Sequence, residues 1–234
     1  MSIVTASFSP DGQILVTGSL PGYLVEWDGR TGEKRRVLLD PEGRQEAPFQ
    51  VVEAFSDDRH VGGVSCLSFS PDSRFLVAGG FTFSGYTGPF VYEVDTGKRT
   101  GALLYDMTRS LGFSPDGRLI ATGDDFGNVK LWDAAAHTRL FEAEAHAAAV
   151  GAVLFSPDGR RLATASRDGG VRVWDVETQS LLLEHSCDAA VVACHFDDGV
   201  GDLSIATAAD GADRPHVLVL RTSLYSPGGP SSQT

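Results

Sequence analysis

Residues Val153–Asp175, with the sequence VLFSPDGRRLATASRDGGVRVWD, contain three short apolar runs separated by two turns. In the first turn, Ser156–Gly159, proline fixes φ and glycine allows a positive φ. The second turn, Arg167–Gly170, ends in two glycines, and the run after it alternates apolar and polar residues. Runs of this length joined by tight turns predict a three-stranded antiparallel meander. Because a lone meander cannot bury its faces, the segment should recur along the chain.

The segment does recur. Four copies of Phe-Ser-Pro-Asp and a degraded fifth copy, Phe-Asp-Asp-Gly, begin at Phe8, Phe69, Phe113, Phe155 and Phe196. Successive copies are 61, 44, 42 and 41 residues apart, and four-stranded propeller blades with a Trp-Asp signature repeat every 40–45 residues or about that. The first, third and fourth copies carry this signature in phase, at Trp27-Asp28, Trp132-Asp133 and Trp174-Asp175. Tyr92-Glu93 and Leu220-Arg221 replace it in the second and fifth copies.

From about Ile3 to Leu220 the sequence resembles the WD40-repeat family. The resemblance implies an all-β, WD40-type β-propeller of about five four-stranded blades, whose ring is incomplete or open. It also implies a scaffold or adaptor that binds other proteins. We expect one propeller domain at 1–222 and a disordered tail at 223–234. Within the domain we place an insertion at 41–59 and repeats at 1–40, 60–103, 104–143, 144–185 and 186–222.

The number of repeats bears on whether the ring closes. Propellers of this family usually have about seven blades, whereas this sequence starts at an inner strand and leaves three recognisable strands in its last repeat. Three arrangements are open: a small closed ring of five blades, an arc completed by another chain, or a fragment of a longer gene product. The second and third are favoured, because an uncovered blade end exposes apolar surface.

Charge and cysteine content restrict the partners and the compartment. The formal net charge is −12, which opposes binding to nucleic acid or to an anionic membrane. No apolar run approaches the length of a membrane span. The three cysteines, Cys66, Cys187 and Cys194, lack metal-ligand spacing and fit a reducing compartment. We therefore expect protein partners, no metal, no cofactor, and a location in the cytoplasm or the nucleus.

The fourth repeat contains the best-matched site residues. The family links a loop histidine to a turn aspartate, a strand hydroxyl and an indole N–H, and the residues that match are His146, Asp168, Thr164 and Trp174. The resemblance implies a structural tetrad, since buried polar groups must satisfy one another. The alternative, a catalytic His–Asp dyad, would need an exposed nucleophile beside an oxyanion hole. We predict no catalytic residue and no enzyme activity.

Two long segments around the second repeat are candidates for partner binding. In the family, the loop before an inner strand and the turn between the second and third strands emerge on one face, and here these are 41–59 and 79–89. Between them the segments contain five aromatic residues: Phe49, Phe55, Phe81, Phe83 and Tyr86. Aromatic residues beside charged ones on loops are typical of a protein-binding patch. Alternatively, these aromatic rings pack against one another and cover the blade.

A short motif in the first repeat offers a different function. Trp27-Asp28-Gly29-Arg30 is similar to the Trp-Asp-x-Arg sequence by which some propellers, acting as substrate receptors, dock onto a cullin-type ubiquitin-ligase adaptor. The docking residues would then be Trp27, Asp28 and Arg30. Pro21 departs from the acidic residue usual upstream, and a basic residue two positions after a Trp-Asp pair is common by chance.

Overall fold

The computed structural model describes residues 2–20, 22–39, 61–82, 89–103, 107–197, 202–207 and 217–221. In this part of the chain every regular element is a β-strand, and the strands form five antiparallel sheets. Within each sheet, strands that follow one another along the chain are hydrogen-bonded neighbours. The all-β architecture of about five blades is therefore confirmed. Nothing in the described ranges forms a helix that is long and apolar enough to cross a membrane.

Blades 1 and 2 have four strands each. Blade 1 consists of β1 (Ser2–Phe8), β2 (Ile14–Leu20), β3 (Leu24–Asp28) and β4 (Lys34–Leu39). Blade 2 consists of β5 (Val61–Phe69), β6 (Phe75–Thr82), β7 (Phe90–Glu93) and β8 (Arg99–Ala102).

Blades 3 and 4 also have four strands, and blade 5 has three in the described part of the chain. Blade 3 consists of β9 (Thr108–Phe113), β10 (Leu119–Asp124), β11 (Asn128–Asp133) and β12 (Arg139–Glu144). Blade 4 consists of β13 (Val150–Phe155), β14 (Arg161–Ser166), β15 (Gly170–Asp175) and β16 (Leu181–Ser186). Blade 5 consists of β17 (Val191–Phe196), β18 (Leu203–Thr207) and β19 (Val217–Leu220).

The Ser-Pro-Asp turn closes the first hairpin of blades 1 to 4 with the same hydrogen bonds. In blade 4, Ser156 Oγ donates to Asp158 Oδ1 at 2.5 Å and accepts from the Arg161 amide at 3.0 Å. The equivalent serine–aspartate bonds in the other three blades are 2.6 Å long and join Ser9 to Asp11, Ser70 to Asp72 and Ser114 to Asp116. All four serines are buried, so their hydroxyls need these partners.

The turns of each blade project toward two opposite rims. In blade 4, the Val176 amide donates to the Arg160 carbonyl at 2.9 Å, which joins the turn after the third strand to the turn after the first. We call the side that carries these two kinds of turn the lower rim. At the other ends of the strands, Asp168 Oδ2 accepts from the Ala147 amide at 2.8 Å, which joins the turn after the second strand to the loop that precedes the blade. We call this side the upper rim.

Successive blades pack face to face around their inner strands, so the core is a series of apolar clusters between blades. Between blades 3 and 4, for example, Ala121 and Leu131 pack with Val150 and Leu162. Equivalent clusters join blade 1 to blade 2, blade 2 to blade 3 and blade 4 to blade 5. Each blade is therefore stabilised mainly by its neighbours, as in other repeat architectures.

The two end blades expose surface that the inner blades bury. Phe8 of blade 1 is 58% exposed, whereas Phe69, at the same position of blade 2, is 7% exposed. Val217 of blade 5 is 72% exposed, whereas Val171, at the same cross-strand position of blade 4, is fully buried. Among the described strands, those of blade 5 do not pack extensively on those of blade 1. The open ring is thus confirmed, and the small closed ring of five blades is not the arrangement observed.

Candidate functional site

Blade 4 brings three of its four predicted tetrad residues into direct hydrogen bonding. His146 lies in the loop before β13, and its ring Nε2 is 2.9 Å from Thr164 Oγ1 in β14. The indole Nε1 of Trp174, in β15, donates to the same oxygen at 3.2 Å. Thr164 is fully buried, so both bonds form inside the blade.

The fourth predicted residue, Asp168, makes stronger contacts with the backbone than with the histidine. Its Oδ1 lies 3.5 Å from His146 Nδ1. Its carboxylate accepts from the amides of Gly170 and Ala147 at 2.7 and 2.8 Å. Asp168 therefore holds the turn after β14 against the loop that precedes the blade.

Arg172 is a fifth member that the sequence pattern did not single out. Its Nη1 lies 3.0 Å from His146 Nδ1, nearer than Asp168, and its Nη2 bonds to Glu184. Because a guanidinium can only donate, Nδ1 accepts this bond and the ring proton lies on Nε2, from where it is donated to Thr164. The signal that could have found Arg172 is the antiparallel register, which pairs it directly with Glu184.

The electrostatics of the cluster favour a neutral histidine and an ionised aspartate. Burial lowers the pKa of His146, and the charge of Arg172 lowers it further, against the opposing charge of Asp168. Burial acts to raise the pKa of Asp168, but the amides of Gly170 and Ala147 more than compensate and lower it. A neutral ring whose two nitrogens are both occupied is a structural hydrogen-bonding group and has no lone pair left for a substrate.

Blade 3 has a different set of polar residues at the positions that hold the hydrogen-bonded cluster in blade 4. Phe126 occupies the position of Asp168, and the carboxylate comes instead from Asp124, which lies two residues earlier and, unlike Asp168, is buried. Asp124 accepts from the amides of Phe126 and Asn128 at 2.9 and 2.8 Å, and it lies 3.3 Å from the buried Lys130 Nζ. Lys130 has the strand position of Arg172 and lies 3.7 Å from Glu142. Sequence analysis missed this ion pair.

A tryptophan–threonine bond recurs in three blades. Besides the pair in blade 4, Trp27 Nε1 donates to Thr17 Oγ1 at 2.8 Å in blade 1 and Trp132 Nε1 donates to Thr122 Oγ1 at 3.0 Å in blade 3. Trp132 is 4% exposed against blade 2, whereas Trp27, beside which the described residues place no other blade on that side, is half-buried. The bond explains why each repeat with this tryptophan has a threonine ten residues earlier, on the neighbouring strand.

The predicted aromatic patch lies mostly outside the described residues. This holds for Phe49, Phe55, Phe83 and Tyr86; the backbone of Phe81 is described and lies in β6, opposite Gly63. A further aromatic residue, Phe126, lies on the upper rim of blade 3 and is 69% exposed. The sequence contains a signal for Phe126: it stands at a turn position where a hydrogen-bonding aspartate is usual. This signal could have added Phe126 to the predicted patch.

The candidate ligase-docking residues lie at the lower end of blade 1. Trp27 bonds to Thr17, and Asp28 Oδ1 accepts from the amides of Arg30 and Thr31 at 2.9 and 2.8 Å. Asp133 and Asp175 hold the equivalent turns of blades 3 and 4 in the same way. The aspartate of the repeat is thus a turn-capping residue, and the Arg30 side chain is exposed on the lower rim.

The remaining reactive side chains do not form a site. In β17, Cys194 packs toward the core between blades 4 and 5 while the adjacent His195 is exposed. Burial raises the pKa of Cys194 to about 12, so its thiol stays protonated at neutral pH. Within the described ranges, no three histidine, cysteine, aspartate or glutamate side chains come together in a group that could hold a metal ion.

Comparison with known families agrees with this geometry. The sequence model of the WD domain, G-beta repeat, matches residues 1–28, 54–85, 100–133 and 137–175, together more than half of the chain. Each match ends at or near a structural landmark: 28, 133 and 175 are the aspartates that cap the lower-rim turns, and 54–85 covers β5 and β6.

Three curated relatives illustrate the likeness. The chain is 28% identical over 134 residues to the human serine-threonine kinase receptor-associated protein, covering 56% of this chain and 31% of the relative. It is 31% identical over 133 residues to the WD repeat-containing protein 26 homolog of Drosophila melanogaster, covering 54% and 18%. It is 30% identical over 142 residues to a guanine nucleotide-binding protein subunit beta of Arabidopsis thaliana, covering 58% and 33%. The matched part of the chain spans about a third of these relatives or less.

Proposed function

The chain belongs to the WD40-repeat family, and from this we propose that it is a non-catalytic scaffold or adaptor that binds other proteins through the upper rim around blade 2. Relatives of this type are interaction scaffolds and are generally non-catalytic. Two of them are named for membership of an assembly, as a receptor-associated protein and as a subunit of a guanine nucleotide-binding protein. Because a fold does not fix a function, the site must be argued from its residues.

The sequence supports the upper rim as the binding surface, because the two segments expected there in the second repeat are rich in aromatic residues. In blade 4, Asp168 of the turn after β14 bonds to Ala147 of the loop that precedes the blade, so these two kinds of segment adjoin. In the second repeat the same two positions are taken by 41–59 and 79–89, which carry the five predicted aromatic residues. Phe126, exposed on the same rim of blade 3, extends the surface. Exposed aromatic residues are the usual anchors of protein interfaces.

The test is capture of partners by the immobilised chain from a lysate of the source organism, quantified by mass spectrometry. We expect the double variant Phe81→Ala/Phe83→Ala to lose the proteins that the unaltered chain retains. Leu181→Ala is the matched control, because it removes an exposed apolar side chain from the outer strand of blade 4, away from the rim. Equal capture by the double variant and the control, at equal melting temperature, would contradict the proposal.

The alternative function is that of a substrate receptor of a cullin-type ubiquitin ligase, docking through Trp27, Asp28 and Arg30. The exposed position of Arg30 on the lower rim is compatible with docking. Under this alternative, purified ligase adaptor should bind the chain and Arg30→Ala should abolish the binding. Arg118→Ala is the control, since Arg118 is 86% exposed on the same rim of blade 3. Equal binding by both variants, or none by the unaltered chain, excludes the alternative.

The end faces suggest a further class of protein partner. Val217 and Val219 of blade 5 are 72% and 56% exposed, at positions that are buried in blade 4 by the blade that follows. We propose that another chain with blade-like surface completes the arc at these faces. The net charge of −12 favours protein partners over nucleic acid or anionic membranes, and a cytoplasmic or nuclear location is consistent with three cysteines that form no disulfide.

A further inference from the structure

A cavity of about 580 Å³ opens on the lower rim between blades 2 and 3. Its apolar floor is formed by Phe75, Val91 and Phe113, and its edge carries the carboxylates of Asp72, Glu93 and Asp116. The volume lies within the range of pockets that hold ligands, about 300–1,000 Å³. The cavity is on the opposite rim from the surface proposed above, so it does not belong to that surface.

The outer strand of blade 2 lacks the side chain that spans the junction to the next blade in blades 1, 3 and 4. The residue paired with the one before the Trp-Asp signature is Arg36 in blade 1, Phe141 in blade 3 and Leu183 in blade 4. Each of them reaches the next blade: Arg36 bonds to the Val94 carbonyl, Phe141 meets Trp174 edge-to-face at 6.0 Å, and Leu183 joins the core between blades 4 and 5.

In blade 2 the same position is Gly101, which has no side chain to fill the junction. His137 of blade 3 bends toward it, and a Cβ added to Gly101 would lie 2.1 Å from His137 Nδ1. His137 has a φ of 57°, at a turn position where blades 1 and 2 have the glycines Gly32 and Gly97. Gln179 has the same turn position in blade 4 with a φ of 58°, so the residue that sets this junction apart is Gly101.

The electrostatic character of the cavity is negative. The Ser70 hydroxyl lowers the pKa of Asp72 and the Ser114 hydroxyl lowers that of Asp116, so both carboxyls are ionised at neutral pH. No lysine or arginine is among the described residues that line the cavity. Arg118 Nε lies 3.9 Å from Asp116, but this side chain is 86% exposed and screens the carboxylate only weakly. The ligand that fits is apolar where it meets the floor and positively charged at the edge.

We propose that this cavity is a binding site for a short basic segment of a partner protein. An aliphatic or aromatic side chain of the segment enters between the blades, taking the place that Phe141 fills at the next junction. A neighbouring lysine or arginine of the segment pairs with Asp72 and Asp116 at the edge. If the chain is a scaffold as proposed above, this site gives it a second contact surface, which differs from the one on the upper rim by its acidic edge.

The experiment measures fluorescence polarisation of two labelled hexapeptide pools with the purified chain. In one pool leucine or phenylalanine is flanked by arginine and lysine, and in the other the same residues are flanked by glutamate. We expect the basic pool to bind at least about tenfold more tightly, with an affinity that falls as salt is added. Equal affinity of the two pools, or no binding by the basic pool, would overturn the proposal.

Two sets of variants locate the binding. Asp72→Asn with Asp116→Asn should weaken binding of the basic pool about tenfold. Asp11→Asn with Asp158→Asn, which makes the same change in the turns of blades 1 and 4, should leave it within about twofold. A similar loss in both pairs would mean that the peptides respond only to overall charge and would refute the site.

A third variant fills the cavity. Gly101→Phe together with His137→Gly gives blade 2 the phenylalanine of the junction between blades 3 and 4, removes the ring that would clash with it, and should abolish binding at an unchanged melting temperature. Retained binding in that folded variant would refute the site, and if the variant fails to fold, the aspartate pairs still decide. Phe81→Ala/Phe83→Ala should leave the affinity for the basic pool unchanged, which separates this proposal from the one on the upper rim.

Discussion

Replacing Thr164 by valine removes one hydroxyl from blade 4 and keeps nearly the same side-chain shape. Thr164 Oγ1 lies 2.9 Å from His146 Nε2 and 3.2 Å from Trp174 Nε1. Valine leaves both N–H groups without this acceptor, and the His146 side chain is fully buried while Trp174 is half-buried. An orphaned buried donor costs about 1–3 kcal/mol, and less where water can replace the partner. We therefore expect the free energy of unfolding to fall by about 2–4 kcal/mol.

Thr17→Val is the matched control. It removes the equivalent hydroxyl in blade 1, where only the indole of Trp27 is known to bond to it and that indole is half-buried. We expect a cost of about 1 kcal/mol there. For a chain of this size, Thr164→Val should lower the melting temperature by roughly 5–12 °C and Thr17→Val by about 2–4 °C, measured by circular dichroism. Because repeat proteins open locally, hydrogen exchange of the β13–β15 amides should report the larger loss directly.

A double-mutant cycle tests the reasoning behind these magnitudes. If His146 and Thr164 stabilise the blade through their mutual bond, His146→Ala/Thr164→Val should cost less than the sum of the two single variants. Additive costs would show that the two side chains are not coupled. Equal losses in Thr164→Val and Thr17→Val would refute the claim that the buried histidine sets the size of the effect.

Three further predictions concern ionisable groups inside the blades. His146→Ala should lower the free energy of unfolding by about 1–3 kcal/mol in a chemical denaturation experiment, and an unchanged midpoint would contradict the structural role of the ring. Burial lowers the pKa of His146 below its unfolded value of 6.5. The unfolded chain therefore takes up a proton first, and stability should be complete above pH 6.5 and decrease as the pH falls through the folded pKa. His146→Ala should have a shallower pH dependence of stability, and an identical one would show that other groups cause it. Lys130→Met should cost about 3–5 kcal/mol because it leaves the buried carboxylate of Asp124 without its cation. Adding Asp124→Asn should restore part of that loss, and no restoration in the same denaturation assay would contradict the ion pair.

The fold could be predicted because the repeat carries its own hydrogen-bonding residues. Each Ser-Pro-Asp turn needs its serine and aspartate, and each Trp-Asp pair needs a hydroxyl across the sheet and two amides in the turn. These local requirements make the residues recur at a fixed spacing, and the spacing reveals the blades. The number of blades and the open ends follow from the same count.

The partners of the buried side chains could not be predicted, because they depend on register and on neighbouring blades. In blade 3 the position of Asp168 is taken by Phe126, and the buried carboxylate is Asp124, which reaches Lys130 only because the strands place them on one face. Arg172 approaches His146 from a strand 26 residues later. In the sequence, Gly101 looks like any other strand glycine. Its effect on the junction, where His137 lies against it, arises only because blade 3 packs beside blade 2.

The difference in valine exposure between blades 4 and 5 is also the reason why we expect the end of the arc to bind another protein. The two blades place valines at the same cross-strand positions, and those of blade 4 are buried in the cluster that joins it to blade 5. The outer strand β19 also has an edge without a fourth described strand. An apolar face beside an open edge is a surface that proteins usually cover.

The most direct test of the open arc is cysteine labelling of these matched positions. In a background with Cys187 and Cys194 replaced by serine, Val217→Cys and Val171→Cys are exposed to a maleimide in dilute solution and quantified by mass spectrometry. The open arc predicts that the cysteine at 217 reacts like a free thiol and the one at 171 at least about a hundredfold more slowly. Equal protection of both in a particle of 24.8 kDa would mean that the five blades close on themselves, and the account would be wrong.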